Sequence, residues 1–164
     1  MTSWTAEAPD HHDVAEFVPG PGIERLREVD VDLFLLRSAL AEVLQRLDFD
    51  DTHGEWGFGV LPVTRRPGTD GREPVDLSGR FWIRPDDSYV EIPREELVDE
   101  DAYTELVPEF AGTYIEEVVD RLRRVVGLGR VRINLKQPFN ANSWHRDPEP
   151  RLHIPIHTNP GCLF

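Results

Sequence analysis

A chain of 164 residues with 39% hydrophobic content is long enough to bury a sizeable core and fits one domain. Its formal net charge of −13 repels a phosphate backbone and argues against general nucleic-acid or anionic-membrane binding. The sequence has no apolar run of bilayer length and no secretory signal pattern at its start, which points to the cytoplasm. Its single cysteine, Cys162, excludes an internal disulfide and a thiolate zinc cluster, so any metal must be held by nitrogen and oxygen.

Residues 1–22, with Pro9, Pro19, Gly20, Pro21 and Gly22 and few periodic apolars, are expected to form a flexible leader, and His11-His12 reads as part of it rather than as a metal site. The remainder, 23–164, is expected to be one domain. From Val31 to Leu47 the spacing of Leu35, Leu36, Ala39, Leu40, Val43, Leu44 and Leu47 predicts a core-covering helix, capped by Asp30 or Asp32. Between Thr52 and Ile92 the texture changes to short apolar runs. Trp56 to Val63, Arg80 to Ile83 and Tyr89 to Ile92 read as strands, and Pro67 to Gly71 reads as a loop. Trp56, Phe58 and Trp82 line either a pocket or the core, and alternating strand aromatics are more often core.

A weak helix is expected from Arg94 to Leu106, and a stronger one from Tyr114 to Val126. The stronger one rests on Thr113 and Glu116 as a capping box, an apolar face of Ile115, Val118, Val119, Leu122 and Val126, and Gly127 as the stop. Val131, Ile133 and Leu135 then alternate with polar residues, which predicts a strand leading through a Pro138 to Ser143 turn to His145.

The chemistry gathers after that turn. His145-Arg146-Asp147 places an imidazole and a carboxylate two residues apart, and a second expected strand, Arg151 to His157, puts positions 151, 153, 155 and 157 on one face and Leu152, Ile154 and Ile156 on the other. Arg130, Arg132, Lys136, Arg146 and Arg151 make this end of the chain locally cationic. A kinase catalytic loop is discarded, because Leu152 stands where the second-magnesium Asn belongs. Ser143 sits in no nucleophile elbow.

The span from Gly127 to Phe164, with Arg130-Val131-Arg132-Ile133, Trp144-His145-Arg146-Asp147, Arg151-Leu152-His153-Ile154-Pro155-Ile156 and Thr158-Asn159-Pro160, resembles the aspartyl/asparaginyl β-hydroxylase-like branch of the Fe(II)/2-oxoglutarate dioxygenases. Residues Gly54 to Tyr114 match more loosely. The resemblance implies an α+β, mainly β fold, a double-stranded β-helix or cupin-like jelly roll with the N-terminal helices packed on it. It further implies His145 and Asp147 as iron ligands, and Arg151 with His153 as the residues that bind a 2-oxoglutarate carboxylate. The implied activity is hydroxylation of a peptide side chain, an amino acid or a small metabolite, coupled to conversion of the cosubstrate to succinate and CO₂. The family's distal iron-binding histidine falls beyond Phe164, so the barrel is expected to be incomplete, with an open sheet edge available for self-association. His157 is a weaker third ligand by position, and His53 weaker still. The alternatives are a catalytically inactive cupin-like binding or interaction module, and a zinc hydrolase using the same ligands.

Overall fold

The computed structural model describes residues 25–51, 58–77, 82–83, 92–93, 99–138, 145–147, 149–160 and 162, with the backbone alone for 82–83, 92–93 and 145–146. The expected leader, His11, His12, His53, Trp56 and the 139–144 part of the turn before His145 lie outside these residues.

The first helix, α1, spans Leu33–Val43. Its N-cap is Asp32, whose carboxylate accepts from the amides of Phe34 and Leu35, which are otherwise unpartnered in a first turn. The buried face is Leu36, Ala39, Leu40 and Val43. Leu35 and Leu44, expected on that face, are instead 44% and 37% exposed. A helical turn of 3.6 residues carries them to the flank of the stripe. The helix is also shorter than expected, ending in a turn that delivers half-buried Leu47 against the core.

Strand β1, Phe58–Pro62, pairs antiparallel with β6, Arg132–Lys136, matching Leu61 to Ile133 and Pro62 to Arg132. The alternation in 131–136 therefore does form the predicted strand. Two-residue strands follow: β2, Thr64–Arg65, pairs with β5, Glu105–Leu106, while β3, Trp82–Ile83, lies between β4, Ile92–Pro93, and β7, His145–Arg146. Among the described residues the three sheets are small and antiparallel, and they do not close into a barrel.

The helix expected over Arg94 to Leu106 does not form where the chain is described. Asp99 instead caps one 3₁₀ turn, Glu100–Ala102, accepting from the amide of Asp101, and the chain then leaves helical geometry at Tyr103 and enters β5. Burying the Tyr103 ring and pairing with β2 outweigh a weak helical preference. Conversely, the short helix α2, Pro74–Leu77, has no periodic signal to announce it, although Pro74 suits a first helical position.

Helix α3 spans Tyr114–Arg123 and buries Ile115, Val118, Val119 and Leu122, with a turn over 124–126 where the helix was expected to continue. Thr113 is its N-cap residue, but the expected capping box is not made. The Thr113 hydroxyl donates to the Phe110 carbonyl at 2.7 Å, and Glu116 accepts from the amide of Gly112 at 2.7 Å. The Phe110 carbonyl, at the end of a 3₁₀ turn over Pro108–Phe110, accepts from both the amide and the hydroxyl of buried Thr113, so this side chain is bonded back to the preceding turn and not forward to the helix amides. The positive φ of Gly112 permits the sharp entry. Tyr114 Oη accepts from the Asp32 amide at 2.9 Å, tying the start of α3 to the start of α1.

The core lies between these helices and β1. Leu36, Leu40, Val43, Leu61, Val63, Phe110, Ile115 and Val119 form one cluster, against which the half-buried Ile133 of β6 and Ile154 and Ile156 of the C-terminal segment pack. No helix among the described residues is long and apolar enough to cross a membrane.

Candidate functional site

β7 places His145 opposite Ile83 in the three-stranded sheet, and Asp147 follows immediately after it. Among the described residues the segment carrying Arg151 has no strand ladder, which corrects the expected second strand. Pro155 has no N–H to donate, and the segment's described anchors are of another kind: Arg37 Nε donates to the Ile156 carbonyl at 2.7 Å, and Ile154 and Ile156 pack on the core. From 153 to 157 the two sets separate, with Ile154 and Ile156 half-buried, but His153, Pro155 and His157 are exposed to solvent rather than turned inward, and Leu152, expected beside Ile154 and Ile156, is 39% exposed.

Two residues given separate roles by the resemblance meet here. Arg151 Nη2 donates to Asp147 Oδ1 at 3.3 Å, and the same guanidinium lies 3.7 Å from Glu149 Oε2 and 3.8 Å from Glu100 Oε1. His153 is exposed to solvent, and the side chain of His145 lies outside the description. Of the expected cationic cluster, Arg130 and Arg151 share Glu100, whereas Lys136 stands over the Phe58 ring, 5.4 Å from its centre. At Arg130 and Arg151, acidic partners thus offset the positive charge that the sequence alone displays.

Behind Arg151 runs a buried polar network that no local motif announces. Arg130, 1% exposed in its side chain, donates through Nη2 and Nε to both oxygens of Glu100 at 2.8 and 3.1 Å, and through Nη1 to the Val75 and Asp76 carbonyls. Its guanidinium lies 5.3 Å from the centre of the Tyr103 ring. Tyr103 Oη donates to Asp76 Oδ1 at 2.7 Å, and wholly buried Asp76 also accepts from Arg66 Nε and the Glu73 amide, each at 3.0 Å. Arg66 is held firmly protonated by Asp76 and, next, by Glu73. Arg132 donates to the Leu77 carbonyl at 2.8 Å, and burial, together with the adjacent Arg130, pulls its guanidinium down to about 10, still cationic at neutral pH. Apart from Arg132, which begins β6, the members come from loops or elements of two to four residues, where periodicity carries no signal.

Burial, then the hydrogen bond to Asp76, pushes Tyr103 up to about 12 from an ordinary 10. The raised value means that the phenol's contribution to stability is complete below pH 10. It declines as the unfolded chain ionises and is lost on passing 12. Urea midpoints measured between pH 9 and 11 should therefore fall more steeply for the wild type than for Tyr103→Phe. The depressed Arg132 acts in the opposite sense over an overlapping range, so the difference between the two proteins isolates the tyrosine. Parallel curves would refute the assignment.

The donor chemistry at β7 suits iron: an imidazole and a carboxylate are nitrogen and oxygen ligands of the kind a non-haem iron takes. Among the described residues, no three His, Cys, Asp or Glu side chains gather as a metal-binding group. No family model, curated protein or solved structure matches the chain.

Proposed function

We infer that the chain is a cytoplasmic Fe(II)- and 2-oxoglutarate-dependent hydroxylase of jelly-roll type, acting on a peptide side chain, an amino acid or a small metabolite. His145 and Asp147 would hold the iron, and Arg151 and His153 the cosubstrate. The supporting observation is that Asp147 and Arg151, a carboxylate of the kind that ligates iron and a guanidinium of the kind that binds a carboxylate, come together just beyond β7, with Arg151 Nη2 3.3 Å from Asp147 Oδ1. The iron supplies oxygen activation when bound. The chain's own residues do the rest: Arg151 offers a planar fork to a carboxylate, His153 a further donor, and the half-buried ring of Glu100, Asp147 and Glu149 keeps that fork oriented.

The test is succinate release from 2-oxoglutarate with Fe(II) in a substrate screen. His145→Ala and Asp147→Ala should each reduce turnover to background. Full turnover by His145→Ala, or no succinate from the wild type, ends this reading.

A second reading, an inactive cupin-like binding or interaction module, draws on the same ring. A guanidinium matched by three carboxylates of its own chain is also what a purely structural ion cluster contains. Weak Fe(II) binding with no turnover supports that reading, whereas tight stoichiometric Fe(II) binding counts against it.

A further inference from the structure

We propose that Glu100 is a positioning residue for Arg151, carrying the rigidity of the Arg130 network to the anion-binding guanidinium. The proposal rests on the hydroxylase reading for the identity of the anion, and on the geometry alone for the positioning.

Arg151 lies on a segment without a backbone ladder, so its head group needs side-chain partners to hold one orientation. Three carboxylates surround it. Asp147 and Glu149 are its neighbours in sequence, on the same irregular stretch, and a shift of that stretch carries them along. Glu100 differs because it belongs to another part of the chain and is itself fixed. Arg130 grips both of its oxygens, the Val75 and Asp76 carbonyls grip Arg130, and the Tyr103 ring lies against that guanidinium.

The Glu100 side chain is only 11% exposed, so its field is weakly screened by water. A carboxylate oxygen has two lone pairs, and Oε1 can serve Arg130 Nη2 at 2.8 Å while facing Arg151 Nη1 at 3.8 Å. An aspartate at this position would draw the charge back by one methylene, and a glutamine would keep the shape and remove the charge.

The first measurement is the side-chain ¹⁵Nε–¹Hε resonance of Arg151, assigned by its disappearance in Arg151→Lys. In Glu100→Gln that resonance should collapse toward the position of a free arginine. If it stays where the wild type has it, the proposal is overturned. Should Glu100→Gln fail to fold, Glu100→Asp replaces it, with the same expected and overturning results.

The second measurement titrates the folded protein with Mn(II), a redox-silent probe, and then with 2-oxoglutarate. Removing a partner that orients a ligand-binding group commonly costs about 10-fold to 100-fold, so 2-oxoglutarate affinity should fall by about 10-fold while Mn(II) affinity holds. Equal weakening of both would indicate a merely structural role, and unchanged 2-oxoglutarate affinity would also overturn the proposal. A wild type that binds Mn(II) but no 2-oxoglutarate refutes the hydroxylase reading instead, and the resonance then decides the positioning by itself.

Discussion

Arg130→Met is expected to destabilise the fold by about 3–5 kcal/mol, enough to leave a domain of ordinary stability marginal or unfolded. Methionine keeps much of the side chain's length but none of its donors. Glu100 loses both of its short hydrogen bonds while remaining 11% exposed, and the Val75 and Asp76 carbonyls lose their common donor. The dominant cost is the buried carboxylate left without its counter-charge rather than the attraction itself, since an ion pair taken out of water gains little net energy. The double variant Arg130→Met with Glu100→Leu should therefore recover part of the loss. The two carbonyls still lack the Arg130 donor, so recovery is incomplete. Urea unfolding of the single and double variants checks both points. A single variant within about 1 kcal/mol of wild type would show that the network is dispensable.

Phe110→Ala is expected to cost a similar amount, about 3–5 kcal/mol, by a different route. Phe110 is fully buried at the end of the Pro108–Phe110 turn, in the cluster with Leu36, Leu40, Val43, Ile115 and Val119. Truncation removes most of the ring's contacts and leaves a cavity in the cluster that α1 and α3 share. Phe110→Leu, which fills more of that space, should cost only about 1–2 kcal/mol. Thermal melts of the two variants should fall in that order. An alanine variant as stable as the leucine variant would mean that the site collapses freely.

The two predictions differ in how readable their residues are. Phe110 is an apolar residue before a turn, and burial is an ordinary expectation for it. Nothing beside Glu100 marks it, because Asp99 and Asp101 flank it within the stretch expected to form a weak helix from Arg94 to Leu106. Its partner Arg130 lies 30 residues away and its other neighbour, Arg151, further still. Only the folded chain brings the three together.

The sequence by itself determined the elements whose signals are local. An aspartate, Asp30 or Asp32, caps α1, a stripe that includes Leu36, Ala39, Leu40 and Val43 faces it inward, Ile115, Val118, Val119 and Leu122 mark α3, and the alternation around Ile133 marks β6; the structure chose Asp32, moved Leu35 and Leu44 to the flank and ended α3 at Arg123. In each case a period of 3.6 or 2 residues, or one side-chain oxygen near free amides, is enough. It also marked His145, Asp147, Arg151 and His153 as candidate site residues. Tertiary structure decided what those residues touch: Asp147 on Arg151, Arg151 against Glu100, and Ile154 with Ile156 on the core in place of a strand ladder. It also turned the expected Arg94 to Leu106 helix, where it is described, into one 3₁₀ turn and a strand. The physical reason is common to all of these. A buried charge must find a counter-charge and a buried ring a cavity, and both partners are chosen by the fold from distant parts of the chain.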